Sequence, residues 1–97
     1  MRIFISGPMG GYPDNNKAAF YQAEDELRSL YPHDEIINPA RLVLSEEAQW
    51  EQWMRESFKL LLACDAIVLL PGWEESRGAM AEAQMGKLLG MPLWEAV

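Results

Sequence analysis

The stretch Ala66-Ile67-Val68-Leu69-Leu70-Pro71-Gly72 decides the fold. An unbroken apolar run, β-branched at Ile67 and Val68 and stopped by Pro-Gly, reads as a strand buried on both faces. A strand with no polar face needs cover on each side, so helices must flank it. Upstream, Trp50, Met54, Phe58 and Leu61 recur at helical spacing, and Ser45 reads as the start of that helix. Downstream, Ser76 reads as the cap of a helix that runs to about Leu89 and closes at Gly90. Further out, residues 35–38 form a strand stopped by Pro39. Phe20, Ala23, Leu27 and Leu30 mark a helix capped by Asn15 or Asn16 and ended at Tyr31-Pro32. Ile3-Phe4-Ile5 is a first strand ended by Gly7-Pro8, and residues 91–94 are a last short strand. The order is βαβαβαβ. Right-handed crossovers then give a parallel sheet of about four strands with helices on both faces, an α/β fold.

Such sheets bind ligands beyond the carboxyl ends of their strands, near the point where strand order reverses. Here that edge consists of residues 7–13, 38–41 and 71–77, all rich in Gly, Pro or polar side chains.

Ninety-seven residues suit one domain, taken as 1–97. The net charge of −7 excludes a nucleic acid polymer as partner, because duplex binding needs clustered Lys and Arg. A small anionic ligand remains compatible, since a helix N-terminus and one or two cations suffice for it. One cysteine, Cys64, and one histidine, His33, preclude an intrachain disulfide and a Cys/His zinc site. The longest apolar stretch is broken by Asp65 and is too short for a membrane span, and the N-terminal apolar run is too short for a signal peptide. A cytoplasmic protein without metal or cofactor is expected.

Three groups of residues carry chemistry. Glu82 lies in Gly78-Ala79-Met80-Ala81-Glu82-Ala83, where small residues let a helix pack closely and bring the carboxylate near a cavity or interface. The helix dipole weakly favours its ionised form, and an ionised, partly desolvated carboxylate attacks anomeric carbons. The alternative is a solvated helix face. Ser76-Arg77-Gly78 sets a hydroxyl, free amides, a cation and a close-approach glycine at one helix start, the outline of an anion site. The alternative is an N-cap beside a surface charge. Gly7-Pro8-Met9-Gly10-Gly11 is a Gly-rich turn that matches neither the dinucleotide fingerprint nor a phosphate loop, and a plain turn explains it equally well.

Other residues read as structure. Cys64 is an inert core thiol. Asp65 bonds backbone amides, and His33 is exposed. Trp50 and Trp53 belong to core or interface, and Trp73 either stacks on a base or sugar or covers the sheet edge. Two tryptophans within one helical turn suggest self-association, a homodimer or larger.

In combination, Gly7-Pro8-Met9, Asn38-Pro39, Cys64 through Trp73, and Ser76-Arg77-Gly78-Ala79-x-x-Glu82 resemble the nucleoside 2-deoxyribosyltransferase superfamily. The nearest likeness is to its short phage and bacterial members of unknown function. The resemblance covers nearly the whole chain, and the last motif is the most specific. It implies a flavodoxin-like fold and cleavage or transfer of the N-glycosidic bond of a nucleoside or nucleoside monophosphate. Glu82 falls on the position of the nucleophile that attacks C1′. Gly7, Pro8, Met9, Asn38, Gly72, Trp73, Ser76, Arg77 and Gly78 fall on substrate-binding positions. Transferases carry aspartate six positions before the nucleophile, where it holds the 5′-hydroxyl. The related nucleoside-monophosphate N-glycosidases carry serine, which bonds the 5′-phosphate. Ser76 therefore implies a 5′-phosphorylated ligand. Two positions depart from the pattern. Phe4 stands where a tyrosine hydroxyl is usual, and Ser57 where an aspartate is usual. Glu56 is no substitute, since one helical step turns a side chain by about 100°.

Three functions compete on this sequence: an N-glycosidic-bond enzyme, a nucleotide-binding or sensing module that has lost turnover, and an interaction protein using its tryptophans. Phe4 and Ser57 favour the second, and Glu82 within its motif favours the first.

Overall fold

A computed structural model describes residues 1–96. Four strands, β1 (Arg2–Ser6), β2 (Glu35–Ile37), β3 (Ala66–Leu69) and β4 (Leu93–Glu95), alternate with three helices, α1 (Lys17–Leu30), α2 (Trp50–Leu62) and α3 (Arg77–Leu88). The sheet is parallel throughout, in the order β2-β1-β3-β4. This is the flavodoxin-like α/β architecture expected from the sequence.

Strand alternation divides the core in two. Ile3 and Ile5 face α1 and pack with Phe20, Ala23, Leu27, Ile36 and Val68. Phe4 faces the other way and packs with Leu61, Ile67, Leu69 and Ala83 beneath α2 and α3. Every residue of β3 is buried, as a strand covered on both faces requires. At Gly86 an added methyl group would run into the end of the buried Ile67 side chain, so glycine lets α3 lie close on β3 without displacing it. Asp65 accepts the amide of Arg2 at 2.8 Å and ties the entrance of β3 to β1, the backbone role expected for it.

Several element boundaries differ from the sequence reading. Helix α2 begins at Trp50 rather than near Ser45, because Gln49 and Gln52 cap it reciprocally. The Ser45 hydroxyl instead accepts the Glu47 amide at 3.2 Å and closes a separate turn. Asn16 stands at the N-cap of α1, as expected, but its side chain makes no capping bond, and Asn15 lies outside the helix. With Asp14 they form three successive left-handed residues, and Asn16 donates to the Pro8 carbonyl at 2.9 Å. The last strand occupies 93–95 rather than 91–94 because Gly90, at φ 73°, turns the chain and Met91 bonds back to the Gly86 carbonyl.

Strand β1 connects through α1 to β2 on one side, and the chain then crosses to β3 on the other. The order therefore reverses between β1 and β3. Gly7, which follows β1, comes so close to Leu70 that a Cβ would sit 2.7 Å from the leucine Cβ. The cavity described next opens at this point.

Candidate active site

Beyond the carboxyl ends of β1 and β3 lies a cavity of about 550 Å³, within the roughly 300–1,000 Å³ range of small-molecule sites. Gly7, Pro8 and Met9 form one wall. Gly72 and Ser76-Arg77-Gly78 form the opposite one, and Trp50, Trp53, Met54 and Ser57 of α2 close a third side. Gly72 has φ 89°, and a Cβ there would lie 2.9 Å from the Tyr12 hydroxyl. The position therefore favours glycine for its backbone, whatever room the Tyr12 side chain makes by shifting.

Glu82 sits in the wall, one turn below the start of α3, and only 6% of its surface is exposed. Each carboxylate oxygen has its own donor. Ser6 Oγ donates to Oε1 and Ser57 Oγ to Oε2, both at 2.5 Å. Burial pushes the Glu82 carboxyl above the usual carboxylate range, and the hydrogen bonds from Ser57 and Ser6 oppose that rise. The sequence-based expectation that the helix dipole favours the ionised form is corrected here. Dipole effects fade beyond the first turn, and desolvation outweighs what remains.

Ser76 caps α3 through its hydroxyl, which accepts the Ala79 amide at 3.2 Å. Gly78 lets α2 and α3 approach, since a Cβ there would sit 3.2 Å from Met54 Sδ. The Arg77 guanidinium lies over the Trp50 ring, 3.8 Å from its centre.

Three of the residues singled out in the sequence stand away from the cavity. Asn38 is buried behind Pro39. Its amide donates to Glu24 at 3.1 Å and to the Phe20 carbonyl, and its oxygen caps the turn at Ala40. Trp73 donates its indole N–H to Glu95 at 3.1 Å and packs on the α2–α3 side of the core, so it covers the sheet edge. Phe4 is fully buried in the same core. Ser57 does line the cavity and bonds Glu82, whereas Glu56 points to the surface and pairs with Lys59.

Two features escaped the sequence reading. Ser6 follows Phe4 by two residues on the same strand face, so alternation alone places it toward α3. Glu24 is 3% exposed and accepts two bonds from Arg41, at 2.8 and 2.7 Å, with further bonds from Arg28 and Asn38. Chiefly the Arg41 hydrogen bonds pull its carboxyl down to about 2. This cluster anchors the segment after β2, whose Pro39 and Leu42 line the cavity. Cys64 is buried, and burial pushes its thiol up to about 11. Among the described residues no cluster of His, Cys, Asp and Glu is arranged to hold a metal ion, and no helix is long and apolar enough to cross a membrane.

The architecture and the position of the cavity define an α/β protein with a cavity at the switch point of a flavodoxin-like sheet, where such folds bind ligands. The chain belongs to the family described as Domain of unknown function (DUF4406), whose model matches residues 1–95. It is similar in structure to a conserved protein from Enterococcus faecalis V583, with TM-score 0.77 and 19% identity over 98% of this chain and 62% of that one. It is also similar to a 2-deoxyribosyltransferase from the psychrotolerant bacterium Bacillus psychrosaccharolyticus, with TM-score 0.73 and 18% identity over 98% of this chain and 71% of that one. The chain thus spans under two-thirds of the first relative's length and somewhat more of the second's. At these identities the likeness establishes a shared fold. No curated protein matches the sequence.

Proposed function

We propose that this chain, acting as one domain, breaks the N-glycosidic bond of a (deoxy)nucleoside 5′-monophosphate with Glu82 as nucleophile. The observation that carries the reading is the Glu82 carboxylate, buried in the cavity wall with one serine hydroxyl on each oxygen. The fold shared with a 2-deoxyribosyltransferase and the motif around Glu82 support it.

In the first step a Glu82 oxygen bonds to C1′ as the C1′–N bond breaks. The bonding electron pair leaves with the base, which takes up a proton from solvent. In the second step water or the nitrogen of another base attacks C1′, loses its proton to solvent and releases the glutamate. Ser6 and Ser57 hold the carboxylate in one orientation and oppose its protonation. In that respect they stand in for the tyrosine and aspartate that Phe4 and Ser57 replace.

A second reading keeps the nucleotide and drops the turnover. Its support is the raised Glu82 pKa together with the lack of a hydroxyl on Phe4. Incubation with each common nucleoside and 5′-monophosphate, with chromatography for free base, decides between the two. Base release that falls by orders of magnitude in Glu82→Gln supports the enzyme. Tight binding without release supports the binder, and base release undiminished in Glu82→Gln removes Glu82 from the mechanism. The reading includes a cytoplasmic homodimer or larger assembly, with the half-exposed Trp50 and Trp53 toward the contact. A monomer in sedimentation at micromolar concentration would overturn that part.

A further inference from the structure

The cavity wall holds one cation. Arg77 is the only Lys or Arg among the described residues that line it, and Glu75 and Glu82 are its carboxylates. Among the described residues four of the eight Lys and Arg side chains, Arg2, Arg28, Arg41 and Lys59, contact a carboxylate. Arg77 lies on Trp50 instead. The two residues open α3 and α2 respectively, and beside them Gly78 of α3 packs against the Met54 side chain of α2.

The difference between these partners is chemical. A carboxylate occupies guanidinium N–H groups and cancels the charge. An aromatic face attracts the guanidinium through its π cloud and leaves the in-plane donors open at the ring's edge. Held this way, the group keeps its charge, its donors and a fixed position, which suits bidentate recognition of a phosphate.

We propose that Trp50 is a positioning residue that presents Arg77 as the anion-reading group of the cavity, and that the ligand carries a single terminal phosphate monoester. This rests on the nucleotide reading above and adds to it the group that sets phosphate preference. The limit to one phosphate follows from the charges. A second or third phosphate brings further negative charge toward Glu75 and Glu82 with no additional cation in the wall.

Calorimetry with the four common deoxynucleosides and their 5′-mono- and triphosphates tests it in the wild type, Arg77→Gln, Trp50→Phe and Trp50→Leu. The wild type should bind the best monophosphate about tenfold or more tighter than its nucleoside, and no more weakly than the triphosphate. Arg77→Gln should abolish that ratio. Trp50→Leu should lose most of it, and Trp50→Phe, which keeps a π face, should retain most of it. The ratio isolates Arg77 from any general loss of packing at Trp50, which would affect nucleoside and nucleotide alike. Equal wild-type binding of nucleoside and monophosphate overturns this inference and leaves the nucleotide reading standing. An undiminished ratio in Trp50→Leu, a Trp50→Phe variant as poor as Trp50→Leu, or a preference for triphosphate also overturns it. Failure of every nucleoside and nucleotide to bind overturns the nucleotide reading, and this inference with it.

Discussion

Replacing Glu82 by glutamine removes a charge and keeps the shape of the side chain, and the structure predicts that the protein becomes more stable. The carboxyl is 6% exposed, and burial raises its pKa above the ordinary value of 4.5. Between the two pKa values the native state therefore holds a proton that the unfolded state releases. By linkage, stability falls as pH rises from the unfolded pKa through the raised native one. Below both values the group is neutral in both states and no penalty exists. Glutamine remains neutral throughout. Its oxygen accepts from one serine and its NH₂ donates to the other, so Ser6 and Ser57 stay bonded. The gain at pH 7 should be about 0.5–2 kcal/mol, the size of a common single stabilising substitution. For a domain of this size each kcal/mol moves Tm by about 4–8 °C. Thermal denaturation of both proteins from pH 4 to pH 8 is the assay. The two melting curves should lie close together at the acid end and separate as pH rises. A variant less stable than wild type at pH 7, or a gap independent of pH, would refute the reasoning.

Other expectations follow from the same packing. Glu24→Gln should destabilise by about 1.5–3 kcal/mol in urea denaturation at pH 7, because it weakens hydrogen bonds to a charged group. In the wild type, where that carboxyl is pulled down to about 2, the stabilisation should be complete above the unfolded pKa and disappear as pH falls toward 2, a slope the variant should lack. Gly86→Ala should lower stability by about 1–3 kcal/mol through overpacking against Ile67, although alanine is the better helix former; a variant as stable as wild type would show that β3 and α3 separate easily. Cys64 should react with a thiol reagent at pH 8 far more slowly than a free cysteine, and at full rate only in denaturant.

The four strands and their parallel sheet were legible because apolar runs ended by Gly or Pro mark strands locally. Helix starts were less so. Ser45 is a good cap by type, yet Gln49 and Gln52 cap each other and win, a reciprocal pairing that residue preferences rank low. Part of the cavity wall was also legible. Gly7, Pro8, Met9, Gly72, Ser76, Arg77, Gly78 and Glu82 all line it. Asn38 and Trp73 carry suitable groups in suitable loops, but each binds a partner from another element, Glu24 for one and Glu95 for the other. Such long-range pairings leave no local trace. The buried Glu24 cluster was hidden for the same reason. Ser6 could have been found, since strand alternation alone puts it on the face of Phe4.

The hydrogen bond between Ser6 and Glu82 joins residues 76 positions apart, and the one from Ser57 spans 25. The Glu82 carboxylate therefore has both of its donors only when β1 has paired with β3 and α3 has docked against β1 and α2. Long loop closures and parallel pairings of this kind are slow steps in folding. A ribosome-bound chain that has not yet emitted α3 has the serines but not the glutamate, and a proteolytic fragment without β1 has the glutamate but not Ser6. The clamped carboxylate is thus a late product of folding, so its appearance would report arrival at the native state more faithfully than helix content does.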